Sequence, residues 1–226
     1  MRIKVRLRIA TACLAALVLA CPGPSGAEET AAPAASTLDE VRALQEEGKY
    51  KRSLPLLDEI LRDAPDSRGA LGLRAVAHAE LRRQMEALDD FQRFLELGPS
   101  TNEFLTVASV IVSAFRPGRP IPDLVGPPGK VTTPVLLHRE PPDVSPSVHH
   151  ACRGSRLFLD AVIQSNGRVK SVEVLRARLT NNAKADILTA AVTEAVLKWR
   201  YVPATQDGKP IETHFTVIFD FEVEGG

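Results

Sequence analysis

The sequence predicts a mixed fold, in which α-helical hairpins are followed by a small α+β domain whose antiparallel sheet is covered by one helix. Three observations carry this. Apolar residues between Leu38 and Phe115 recur at three- and four-residue spacing, the period of amphipathic helices. Two segments in that region superimpose at an offset of 34 residues, pairing Ser53 with Ala87, Leu57 with Phe91, Ile60 with Phe94 and Pro65 with Pro99. Beyond residue 154 the order becomes strand, hairpin, strand, helix and long strand, which is an α+β arrangement. At 226 residues, 44% of them apolar, the chain can bury two modest cores.

At the N-terminus, Arg2, Lys4, Arg6 and Arg8 precede the apolar run Ile9 to Ala20, the pattern of a secretory signal. The run is too short to span a bilayer comfortably. Two cleavage sites remain open. A cut after Ala27, with Ser25 and Ala27 as the small residues, makes 1–27 a signal peptide and the product a free periplasmic protein. A cut before Cys21, in the lipoprotein-like box Val18-Leu19-Ala20-Cys21, makes 1–20 the signal and leaves Cys21 lipidated as a membrane tether. The chain is formally neutral, and removing its four N-terminal basic residues leaves a net charge of about −4. Nucleic acid is therefore not an expected partner, because phosphate binding needs a basic surface. Membrane contact is expected only through the lipid anchor. With Cys13 in the signal and Cys21 removed or lipidated, Cys152 is left alone and no internal disulfide can form.

Residues 28–37 are Ala, Thr, Glu, Ser and Pro, a flexible lead-in. Helices are predicted over 38–47, 51–62, 69–81, 85–97 and 102–115, the last one capping the stack. Gly48-Lys49-Tyr50 and Ser53 fit the turn and second-helix positions of a repeat, whereas Arg82 stands where the second copy should carry Gly. The 34-residue offset is the tetratricopeptide period, so 38–116 is read as tetratricopeptide-like repeats that act as a spacer or hold a peptide on their concave face. Acids such as Asp89 and Asp90 are expected on a solvated helix face. Of the 17 prolines, nine fall between Arg116 and Pro146, and 117–146 is expected to run extended as a linker that lets its flanking domains lie far apart.

Within 147–226, Leu157, Leu159, Ala161 and Ile163 alternate with Phe158, Asp160, Val162 and Gln164, which leaves one face uniformly apolar, and Asn166-Gly167 is a hairpin signal whose two turn positions are expected at positive φ. Asn181 and Asn182 can cap a helix on which Ile187, Leu188, Ala191, Val192, Ala195, Val196 and Trp199 recur at three- and four-residue spacing. Pro203 ends it and Asp207-Gly208-Lys209-Pro210 is turn chemistry. The last run places Phe215, Val217, Phe219, Phe221 and Val223 on one side, with Trp199 expected where helix and sheet meet.

Asn166-Gly167-Arg168-Val169, Trp199-Arg200-Tyr201-Val202-Pro203-Ala204 and Asp207-Gly208-Lys209-Pro210 together resemble the C-terminal domain of TonB-type energy transducers, over roughly 142–223. In the fold-motif set Asn166, Gly167, Trp199, Tyr201, Pro203 and Gly208, the recurring role is the fold itself: Gly167 for φ, Trp199 for core volume, Pro203 to stop the helix. The resemblance implies capture of outer-membrane transporter segments by strand addition, which assigns partner binding to Thr213, Phe215, Thr216, Val217, Ile218 and Phe219 if the last strand is an edge. The same edge could instead pair with a second copy, giving a homodimer or, with Cys21 as anchor, a tethered self-assembling structural protein. True energy transducers carry a longer Pro-rich spacer behind an uncleaved anchor, which argues against a full transducer. His149, His150 and Cys152 lack the second ligand pair of a zinc site and any base to activate a thiol. No phosphate-binding Gly loop, nucleophile elbow or zinc-protease motif is present. The expectation is a protein-binding adaptor of the cell envelope, not an enzyme, with no cofactor and no metal.

Overall fold

A computed structural model describes residues 32–221; the signal segment, Cys21 and Val223 lie outside the described residues. Five helices come first: α1 (Ala32–Glu46), α2 (Tyr50–Asp63), α3 (Arg68–Glu80), α4 (Gln84–Glu96) and α5 (Thr101–Phe115). Leu57, Ile60, Phe91 and Phe94 from the matched segments are all buried, as are Ser53 and Ala87, so the 34-residue offset carries equivalent packing positions. The turns repeat as well. Gly48 (φ 74°) and Arg82 (φ 62°) occupy the same left-handed position 34 residues apart, so Arg82 keeps the turn at a steric cost that Gly avoids. Pro55 falls inside α2, beyond its first turn; it is exposed, so the Lys51 carbonyl that it leaves unbonded can face water. Helix α5 begins with a capping box: Ser100 accepts from the Glu103 amide, and the Glu103 carboxylate takes the Ser100 amide at 2.8 Å.

Asp90 departs from the expected solvated face. It is 5% exposed, and Arg74 of α3 grips both of its oxygens at 2.7 and 2.8 Å while also reaching Asp58 of α2. Asp89 is exposed as expected. The residue that neutralises Asp90 sits on the neighbouring helix, in direct contact with it but 16 residues back in sequence, outside the reach of helical periodicity.

The second half contains β1 (Val135–His138), α6 (Pro146–Ala151), β2 (Arg156–Ile163), β3 (Val169–Arg178), α7 (Ala185–Leu197), β4 (Arg200–Val202), β5 (Thr205–Gln206), β6 (Lys209–Pro210) and β7 (Thr213–Asp220). The main sheet is antiparallel with order β3-β2-β7, and β1 pairs with β4. Leu157, Leu159, Ala161 and Ile163 are fully buried on the face that meets Leu188, Val192 and Val196 of α7 and Trp199. Asn181 caps the short 3-10 turn Asn182–Lys184 that leads into α7.

The β2–β3 turn differs from the two-residue form expected. Gly167 has φ +81° but Asn166 does not lie at positive φ; Gly167 N–H donates to Gln164 and Gln164 N–H to Arg168, closing a longer turn. The two-residue turn occurs instead at Asp207-Gly208, both at positive φ (50° and 77°), joining β5 to β6.

The proline-rich stretch is not a free spacer. Thr132 N–H donates to the Thr205 carbonyl at 2.9 Å, Thr205 Oγ1 to Leu124 at 2.7 Å, and Gly129 N–H to Asp207 at 2.8 Å. Leu124, Val135, Leu137 and Val202 join one buried cluster with α4 and α5 residues including Phe91, Phe94, Phe104 and Ile111. Proline removes donors within the stretch; some of its remaining groups bond within it, as Lys130 N–H does to Pro127, and others bond to Thr205 and Asp207. The helical stack and the sheet domain are therefore docked. Asn166 at the hairpin tip donates to Glu96 of α4, and the Gly208 turn lies against Thr101 of α5.

Candidate functional site

β7 is an edge strand of the three-stranded sheet, paired along its whole length with β2. Its side chains alternate: Val217 and Phe219 are buried and Phe215 half-buried, while His214, Thr216 and Ile218 are exposed, Ile218 at 54%. The backbone alternates too. Phe221 N–H donates to Ser155 and its carbonyl accepts from Gly154, both towards the β2 side. In an antiparallel strand that phase directs the peptide groups of Phe219, Val217 and Phe215 inward and those of Ile218, Thr216 and His214 to the outer edge. Thr213 opens the strand opposite Ile163.

A groove of about 820 Å³ runs along this edge from Phe215 to Ile218. Its opposite wall is β1 together with the Phe115–Pro122 segment, and Trp199 and Tyr201 line it between. A hollow of about 680 Å³ continues past Phe219 to Phe221, and Arg139 borders both. Arg139 is held over the rings of Trp199 and Phe219, 5.3 and 4.8 Å from their centroids. Trp199 Nε1 in turn donates to the Glu140 carbonyl at 2.8 Å, which fixes the chain beside Arg139. Burial pushes the Tyr201 phenol well above its ordinary pKa, and the Arg139 charge opposes that, so Tyr201 stays neutral and able to donate.

The fold-motif residues hold this site from behind. A Cβ on Gly167 would lie 2.0 Å from the Tyr201 carbonyl, and Tyr201 N–H donates to Gly167 at 2.9 Å. The hairpin thus clasps β4, which sets Tyr201 and Trp199 under the groove. Asn166 reinforces the turn by accepting from Arg168 N–H, and Pro203 is buried directly after β4. Gly208 is buried against Thr101, away from β7.

Sequence reasoning missed the far wall. Val135-Leu136-Leu137 is an apolar triplet directly after Pro134, a strand signal that the surrounding prolines mask, and Arg139 follows it. His149 and His150 lie on α6, where the His149 ring meets the edge of Phe221, and Cys152 is fully buried in the core. Among the described residues no group of three His, Cys, Asp or Glu side chains could hold a metal ion, and no helix is long and apolar enough to cross a membrane.

The family model for the Gram-negative bacterial TonB protein C-terminal matches residues 153–223. Among solved structures, the solution NMR structure of the Pseudomonas aeruginosa TonB C-terminal domain is similar, with 24% identity and a TM-score of 0.32 over 41% of this chain and 89% of that one. No curated protein matches the chain. Residues 153–223, preceded by a helical region, carry a TonB-type C-terminal domain.

Proposed function

We propose that this chain is a non-catalytic adaptor of the bacterial cell envelope, which captures an extended segment of a partner protein by strand addition to β7. The observation that carries this reading is the outer edge of β7, whose outward peptide groups at Thr216 and Ile218 open onto a groove walled by β1. Outer-membrane transporter segments are the partner class that the family match favours. The tetratricopeptide-like helices and the β7 domain act as one docked body, so the helices support the groove wall instead of spacing two independent modules. Delivery to the periplasm would follow from the N-terminal signal, with the product free or tethered through Cys21; the mass of the mature N-terminus separates the two.

The test is Thr216→Pro and Ile218→Pro, each of which removes an outward donor and leaves the β2–β7 ladder intact. Photoreactive residues at the same two positions should cross-link a transporter or other envelope protein, and the folded proline variants should lose capture of that same partner. Undiminished capture by folded variants would overturn the strand-addition reading. Cross-linking of the protein only to itself would make the edge a homodimer or self-assembly surface.

A further inference from the structure

We infer that the β7 groove selects an extended partner segment with carboxylate side chains at its groove-facing positions, and that Arg139 determines this specificity. The inference rests on the strand-addition reading and goes on to say what the segment carries.

The 820 Å³ groove is lined, among the described residues, by three arginines, Arg116, Arg119 and Arg139, and by no Asp or Glu. Among the described residues none of the three forms an ion pair. This is a local concentration of charge, since the whole chain is formally neutral. Among the described residues lining the adjoining hollow the one carboxylate is Asp220, which is already paired with Arg156. The guanidinium carbon of Arg139 lies over the Trp199 and Phe219 rings, a cation–π placement that is compatible with a bidentate Arg–carboxylate pair. Arg139 is exposed, so such a pair forms near solvent and is weakened by salt. The Trp199 bond to the Glu140 carbonyl fixes the backbone beside Arg139, which lowers part of the ordering cost of binding.

The alternation of a strand completes the argument. A segment added to β7 turns every second side chain to the same face as Phe215, Val217 and Phe219, the face that Arg139 overhangs. The edge from Phe215 to Phe221 accommodates about seven residues, roughly 20 Å of strand. Among the described residues, the free sheet edges of a second copy of this chain do not offer the complement. Its β7 presents Phe215, Val217 and Phe219 on that face, and its other free edge, β3, carries Lys170, Arg176 and Arg178 against a single Glu173. The fitting occupant is a heterologous acidic segment.

The probes are fluorescent peptides of about ten residues in which Thr alternates with Glu, with Gln or with Lys, titrated by anisotropy into the purified mature protein. The Glu peptide should bind roughly tenfold or more tightly than the Gln peptide, with the advantage reduced by salt, and the Lys peptide least. Arg139→Gln should bring the Glu and Gln peptides to parity, with binding of the Gln peptide retained to show an intact groove, and Arg139→Lys should restore part of the difference. Equal binding of the Glu and Gln peptides that Ile218→Pro abolishes would overturn the charge selection and leave strand addition standing. Binding that survives both Thr216→Pro and Ile218→Pro would overturn strand addition itself, and no binding by any peptide would overturn both. A dimer that excludes the peptides and is broken by Ile218→Pro would assign the groove to a second copy and overturn the inference.

Discussion

Replacing Gly167 with Ala tests whether the hairpin-to-β4 clasp positions the groove. The left-handed conformation at φ +81° costs a residue with a side chain about 1–2 kcal/mol. The new Cβ would stand 2.0 Å from the Tyr201 carbonyl oxygen, a backbone atom that cannot swing aside, so the hairpin must lift off β4. Lifting breaks the 2.9 Å bond from Tyr201 N–H to Gly167, worth about 1 kcal/mol. The expected loss is about 3 kcal/mol. Gly118 provides the control, because its φ is +76° with open space around its Cβ position, and Gly118→Ala should cost only the conformational term of about 1 kcal/mol. Urea unfolding followed through Trp199, the single Trp of the chain, measures both. Gly167→Ala should also weaken peptide capture at β7 in proportion to the displacement of Tyr201. Equal stability losses in the two variants would refute the clasp.

Three further outcomes are expected. Asp90→Ala leaves Arg74 partly buried with only Asp58 as partner and should cost about 3 kcal/mol by chemical unfolding. Arg82→Gly relieves the left-handed strain at φ 62° and should raise stability by about 1 kcal/mol. Ser100→Ala removes the cap of α5 and should cost about 1 kcal/mol at neutral pH. The Glu103 carboxyl is held below its ordinary pKa chiefly by the Ser100 hydroxyl, then by the Ser100 amide and Arg68. A lowered folded pKa adds stability above the unfolded value, about 4.3, which is lost as pH falls through the folded value. The gap between wild type and Ser100→Ala should therefore narrow in acid, as thermal unfolding across pH would show.

The helices were legible because each buries one stripe at a fixed period: the expected span 102–115 and the observed Thr101–Phe115 differ by a residue. The β2 alternation and the buried Trp199 follow from the same local logic. What local pattern could not show were pairings across distance. β1 is defined by β4, some sixty residues downstream, and its prolines argue for a spacer until that partner is known. Asp90 looks like any surface acid until Arg74 of the neighbouring helix is placed beside it. At the site, the outward Thr216 was readable from alternation, which the apolar Ile218 breaks, whereas Arg139, Arg116 and Arg119 belong to a wall that only docking of the helical stack creates. The hairpin turn shows a third kind of gap, since Asn-Gly fits more than one turn geometry and the close approach to Tyr201 favours the one that keeps only Gly167 at positive φ.

Amide hydrogen exchange along β7, with and without the alternating Glu and Thr peptide, tests the central claim most directly. In the free protein the amides of Thr216 and Ile218 should exchange much faster than those of Val217 and Phe219, which are bonded to β2. Saturation with peptide should slow Thr216 and Ile218 selectively. Unchanged exchange at those two amides in the presence of bound peptide would contradict capture by strand addition.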